Sequence, residues 1–152
     1  MNREADEFAG ITRNRYSRQI LFYGIGEEGQ KKLLKTHVLI AGCGALGSAS
    51  ANYLARAGVG KITIVDRDFV EEDNLQRQVL FDQEDARRKM PKAIAAERRL
   101  KEINPTVDVH GIVTDLRPGN ILEIVEPCDV IIDACDNLET RFLVNDAAHK
   151  LG

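Results

Sequence analysis

Two cations and a carboxylate have the residue types that handle phosphate: Arg77 within Asn74-Leu75-Gln76-Arg77-Gln78, Lys92 after Pro91, and Asp136 within Cys135-Asp136-Asn137. Arg77 offers a planar fork to phosphate oxygens, Lys92 a compact positive charge, Asp136 an oxygen ligand suited to Mg2+, and Asn74 an amide donor. Each also has a plain structural reading. Arg77 and Lys92 can pair with the acids Glu71, Glu72 and Asp73, and Asp136 can cap a helix. Around a phosphate-binding turn, the set suits a triphosphate with its metal better than a dinucleotide.

Such a turn is present in Gly42-Cys43-Gly44-Ala45-Leu46-Gly47, which follows the apolar run Val38-Leu39-Ile40-Ala41 and opens a stretch of small residues. Strand, glycine turn and helix succeed one another. Gly42 can take positive φ, Gly44 allows close approach of backbone to phosphate, and Gly47 lets the helix pack on its strand. The free N–H groups at the helix start then face the anion. Nineteen residues after Gly47, the strand Ile62-Thr63-Ile64-Val65 ends at Asp66, the spacing at which a carboxylate accepts hydrogen bonds from a ribose diol. The plainer reading of Asp66 is a solvated strand-end carboxylate.

The elements that must position these residues alternate. Helical patterns cover Arg15 to Phe22 and Glu27 to Leu34, punctuated by Gly24 and Gly26. A strand from His37 to Ala41, a helix from Ala45 to Arg56 and a strand from Lys61 to Val65 make a first βαβ unit. Asp66 to Gln83 is a long polar connection that should border the ligand. Pro91 starts a helix that runs through Ile103 and stops at Asn104-Pro105, and a strand from Val107 to Val113 follows. Pro118 starts another helix through Val125. Asp129 to Ala134 reads as a strand buried on both faces, and Asn137 caps a final helix. The expected fold is α/β, a Rossmann-like parallel sheet of order 3-2-1-4 with helices on both faces, preceded by short N-terminal helices. The division is residues 1–36 for those helices and 37–152 for the nucleotide-binding domain. The outer edge of the fourth strand is expected to need cover from further chain or a partner.

Composition narrows the rest. The chain has 152 residues, 43% hydrophobic and 30% charged, as in an ordinary single globular domain. A net charge of −3 gives no broad basic field for nucleic acid or an anionic membrane, and no apolar run has the length to span a bilayer. A cytoplasmic location is expected. Cys43, Cys128 and Cys135 are an odd count without a closely spaced pair, against both a disulfide framework and structural zinc. Cys43 and Cys135 lie near the expected ligand but read as small packing residues, and Cys128 as structural. His37, His110 and His149 read as surface or core residues rather than bases.

Arg15-Tyr16-Ser17-Arg18-Gln19, the glycine turn, Gly58-Val59-Gly60, Asp66 with Asp68, Asn74 to Gln78, Pro91-Lys92 and Asp136-Asn137 together resemble the adenylation domain of the ThiF, MoeB, HesA and ubiquitin-activating enzymes. The resemblance covers nearly the whole chain. It implies ATP-dependent adenylation, with Mg2+, of the C-terminal glycine carboxylate of a ubiquitin-like or sulfur-carrier protein. It also implies a homodimer. Asp66 would hold the ribose, Asn74, Arg77 and Lys92 the phosphates, and Asp136 the Mg2+. Arg18 would reach across the dimer interface to the phosphates of the other protomer. Gly42, Gly44, Ala45, Leu46, Gly47, Asp68, Gln78 and Asn137 complete the implied nucleotide contacts. Longer relatives continue into a region with a catalytic cysteine, a crossover loop and often two C-x-x-C zinc pairs, so only the N-terminal, nucleotide-binding portion is matched.

The chemistry agrees. A carboxylate is a poor nucleophile facing an anionic phosphate, so catalysis must neutralise charge and align groups rather than move protons. Two alternatives share part of the pattern. A nicotinamide-dependent oxidoreductase would use the glycine turn and Asp66, but leaves Arg77, Lys92 and Asp136 without a task. A non-catalytic dimerisation partner would fold and associate without turnover.

Overall fold

The structure, a computed structural model, describes residues 14–152; the polar start, Met1 to Thr12, lies outside them. A helix over 14–20 (α1) and α2 (Gly26–Leu33) precede four strands: β1 (His37–Ala41), β2 (Lys61–Val65), β3 (Asp108–Ile112) and β4 (Val130–Asp133). α3 (Ala45–Ala57) joins β1 to β2, α4 (Gln83–Arg87) and α5 (Lys92–Ile103) join β2 to β3, α6 (Ile121–Val125) joins β3 to β4, and α7 (Leu138–Leu151) follows. All strand pairs are parallel and the order is β3-β2-β1-β4. The chain is therefore a Rossmann-like α/β protein.

β1 is buried at all five residues, because it lies between β2 and β4 with helices on both faces. Val38, Ile40, Ile62 and Ile64 pack under Ala51 and Ala55 of α3 and Ala93, Ala96 and Leu100 of α5. Leu39, Ala41 and Val65 face Ile121 and Val125 of α6 and Val144 and Ala147 of α7. Two apolar layers thus hold the sheet and set where its strands end.

Three expectations need correction. β4 is not buried on both faces: Ile131 and Ile132 reach the two apolar layers, but Val130 is 48% exposed, because β4 is an edge strand and the helices cover it incompletely. The helix expected from Pro118 starts at Ile121. Residues 118–120 form a turn, with the Asn120 and Ile121 N–H groups both donating to the Arg117 carbonyl at 3.0 Å, and Asn120, at a φ of −129°, leaves helical geometry before α6 begins. α4 was unforeseen. Asp82 caps it, accepting from the Glu84 and Asp85 N–H groups, and the Asp85 carboxylate returns to the Asp82 N–H, a D-x-x-D capping box present in the sequence.

The N-terminal helices dock on the far end of α3. Gln19 and Gln30 bond each other and both donate to the Ala57 carbonyl, while the buried Tyr16 hydroxyl accepts from Asn104 Nδ2 at 2.8 Å. Arg18 projects from this anchored helix, exposed and without a hydrogen bond or ion pair among the described residues. No helix among the described residues is long and apolar enough to cross a membrane.

Candidate active site

A cavity of about 470 Å³ opens where the strands finish, lined by Gly42 and Gly44 after β1, Asp66 after β2, Thr114 after β3 and Asp136 after β4. β1 continues to β2 on one side, whereas β4 lies on its other side, so the cavity occupies the switch point at which open α/β sheets bind ligands. Its volume suits a ligand of nucleotide size.

The glycine turn is packed backbone against backbone. Gly42 has φ of 93°, and a Cβ there would lie 2.8 Å from the Ala134 carbonyl oxygen. A Cβ on Gly47 would lie 1.9 Å from the Gly42 oxygen, so α3 starts as close to the turn as backbone allows. The first N–H groups of α3 receive no side-chain cap from Gly44 and are left for a ligand. Asp66 ties the turn to β2: its Oδ2 accepts from the Cys43 N–H at 2.6 Å and its Oδ1 from the Asp68 N–H at 2.7 Å. Burial raises the Asp66 pKa above the ordinary value, against the pull of these two N–H groups and of Lys92.

The connection after β2 is anchored by the buried side chains of Val70 and Leu80, by a Val70 N–H to Met90 carbonyl bond of 2.8 Å, and by a Lys92 N–H to Asp68 carbonyl bond of 2.8 Å. Within it the 3-10 turn Glu72–Asn74 buries Asn74, whose Oδ1 accepts from the Glu71 N–H and whose Nδ2 donates to Asp73. Arg77 donates to the Asp73 backbone carbonyl at 2.5 Å, which leaves its charge unneutralised by the neighbouring acids. Lys92, largely buried, lies 3.5 Å from an Asp68 carboxylate oxygen. Gln78 is 3% exposed, and its Oε1 has no hydrogen-bond partner. An orphaned buried acceptor on a cavity wall is expensive unless a ligand completes it.

After β4, Asp133 stiffens the next turn: its Oδ1 accepts from the Cys135 N–H and its Oδ2 from Arg141 Nε, both at 3.0 Å. Burial opposes ionisation of Asp133, but these donors hold its pKa below the ordinary value. Asn137 caps α7 through the Thr140 N–H. Asp136 between them is exposed and carries no ion pair among the described residues.

The thiols are kept protonated. Burial, with Asp66, pushes Cys43 up to about 12, and burial, with Asp133, pushes Cys135 up to about 12. His37 bridges β1, β2 and the loop before β4, with Nδ1 2.8 Å from the Pro127 carbonyl and Nε2 2.8 Å from Thr63 Oγ1.

Of the residues singled out in the sequence, Arg77, Lys92, Asp136, Gly42, Gly44, Ala45, Leu46, Asp66, Asp68, Asn74, Gln78 and Asn137 line this one cavity. Gly47 lies beneath the turn and Arg18 lies outside the lining. Sequence reasoning missed Arg67, Thr114, Asp115, Leu116 and Thr140. Their signal was topological: the first four follow the carboxyl ends of β2 and β3, where side chains must border the ligand.

A parallel sheet with a glycine turn and a cavity lined by Arg77, Lys92 and Asp136 at its switch point defines a Rossmann-like nucleotide-binding module. The chain belongs to the ThiF family, whose model matches residues 16–152. It is 56% identical over 138 residues to the sulfur carrier protein ThiS adenylyltransferase of Bacillus subtilis, covering 91% of this chain and 41% of that protein. It is 45% identical over 139 residues to the sulfur carrier protein adenylyltransferase of Thermus thermophilus, covering 91% of this chain and 51% of that protein. Among solved structures, the tRNA N6-threonylcarbamoyladenosine dehydratase TcdA of E. coli, crystallised in complex with ATP, superposes with a TM-score of 0.84 at 27% identity, over 91% of this chain and 56% of TcdA. The chain thus spans about half the length of these relatives or less.

Proposed function

We propose that this chain is the nucleotide-binding part of an enzyme that uses ATP to adenylate the C-terminal glycine carboxylate of a sulfur-carrier or ubiquitin-like protein. The observation that carries the reading is the convergence of Arg77, Lys92 and Asp136 on one cavity with the glycine turn. The sulfur-carrier adenylyltransferases to which the chain is similar support the substrate class. The residues suit ATP: the glycine turn leaves room for phosphate at uncapped N–H groups, and Gln78 Oε1 awaits a donor.

In this reading Arg77, Lys92 and the α3 N–H groups hold the phosphates still and in line, and Asp66 accepts from the ribose. Asp136 would hold Mg2+, which commonly takes one or two carboxylates and completes its shell with phosphate oxygens and water. An ion held there would supply positive charge to the phosphates. The carrier's carboxylate oxygen bonds to the α-phosphorus, the bond to pyrophosphate breaks, and the electron pair leaves with pyrophosphate. No proton need move, which accords with the absence of histidine from the lining. Arg18, exposed on an anchored helix, would serve the site of a second copy in a homodimer. A cytoplasmic setting completes the reading.

The test is ATP–pyrophosphate exchange with carrier proteins that end in glycine. Asp136→Ala should lower exchange by about 10²-fold or more with the fold retained; exchange that survives this substitution excludes the role given to Asp136. Absence of exchange in the wild type with every carrier favours a non-catalytic partner.

A further inference from the structure

The loops after β2 and β3 are tied together by charge along the cavity. Arg67 Nη1 lies 2.9 Å from Asp115 Oδ2, and Arg67 Nε lies 3.7 Å from Asp68 Oδ1. Arg117 Nη2 lies 3.5 Å from the same Asp115 oxygen, and Lys92 Nζ lies 3.5 Å from Asp68 Oδ2. Charges therefore alternate from Arg117 through Asp115, Arg67 and Asp68 to Lys92. Asp115 is held in place at its backbone, where Asn120 Nδ2 donates to its carbonyl at 2.9 Å. Arg67, Asp115 and the neighbouring Thr114 and Leu116 all line the cavity.

Pairs this exposed contribute little to folding, so stability does not account for the chain of charges. Position does. In a switch-point site the phosphates sit at the first helix and the ribose at the carboxylate that ends the second strand, which directs the base past β2 toward β3. That is the ground Arg67 and Asp115 span. Arg67 donates one hydrogen bond to Asp115 and has Asp68 nearby, so its charge is balanced along one edge, whereas the flat face of a guanidinium can stack on an aromatic ring.

Resting on the ATP reading, we propose that Arg67, clamped by Asp115, is a specificity-determining residue that walls the base end of the site and grips the nucleoside half of the nucleotide. Asp115 acts through Arg67, as a positioning residue.

Calorimetric titration of the 152-residue chain with ATP and with inorganic tripolyphosphate, each with Mg2+, tests this. Arg67→Ala should weaken ATP binding about tenfold and leave tripolyphosphate binding within about twofold. Arg67→Lys, which keeps the charge but loses the plane, should resemble Arg67→Ala. Asp115→Asn should give a smaller loss, again confined to ATP. Unchanged ATP affinity in Arg67→Ala, equal losses for both ligands, or full rescue by lysine each overturns the assignment. A wild type that binds no ATP refutes the underlying ATP reading instead, and the assignment with it.

Discussion

Gly44 and Gly47 stand three residues apart, yet alanine at each should fail differently. A Cβ on Gly44 meets nothing within 4 Å, its φ of −76° is negative, and its ψ of −152° lies a little past the usual β region, so Gly44→Ala builds with only a small backbone adjustment. Its effect on folding is the small balance of an altered N-cap and a stiffer unfolded chain, within about 1 kcal/mol. A Cβ on Gly47 would lie 1.9 Å from the Gly42 oxygen and 2.9 Å from the Gly42 carbon, where real Cβ atoms keep at least 3.0 Å. Both neighbours are backbone, so α3 must shift off the turn by about 1 Å or more. Overpacking of that kind destabilises by about 1–3 kcal/mol, occasionally more. The assays are urea unfolding followed by far-ultraviolet circular dichroism, since the chain has no tryptophan, and calorimetric titration with ATP and Mg2+. Gly44→Ala should keep the wild-type midpoint but bind ATP about tenfold or more weakly, because the new methyl group occupies the approach of a phosphate. Gly47→Ala should lose on both counts, with the midpoint down by roughly 1 M urea. Wild-type ATP affinity in Gly44→Ala would falsify the cradle, and wild-type stability in Gly47→Ala would remove the packing argument.

Three further outcomes follow from Cys43, Cys135 and Asp66. With thiols pushed up to about 12, Cys43 and Cys135 should react with iodoacetamide at pH 8 roughly tenfold or more slowly than in the urea-unfolded chain; rapid labelling of either in the folded protein contradicts their packing role. Asp66 has a folded-state pKa raised above its unfolded value, so its contribution to stability is complete below about pH 3.8 and declines as pH rises through the folded pKa. Asp66→Asn removes that decline, so the variant's stability should rise with pH more steeply than the wild type's just above pH 3.8. Parallel profiles there would show that Asp66 titrates normally. Asp66→Asn also leaves one of two N–H groups, from Cys43 or Asp68, facing an amide nitrogen, which should lower stability by about 1–3 kcal/mol.

The first βαβ unit was legible because its signals are local. The apolar runs of β1 and β2 are bounded by glycine and charge, and both strands form with the bounds read from the sequence, His37–Ala41 and Lys61–Val65. The alternation of periods then implied a parallel sheet, and the order 3-2-1-4 placed every strand's carboxyl end on one side. Where a single residue leaves helical geometry, as Asn120 does with a φ of −129° before α6, residue type alone placed the boundary too early.

Residue types by themselves determined the groups on offer: a glycine-rich turn, two cations and a carboxylate in a fixed order along the chain. Only tertiary structure decided that Gln78 is buried with an unpaired acceptor, that β4 remains half exposed, and that Arg67 meets Asp115 across two loops. The physical reason is distance along the chain. Turns and helix starts are set by neighbours a few residues apart, whereas the pairing of residues 67 and 115 exists only once β2 and β3 lie side by side.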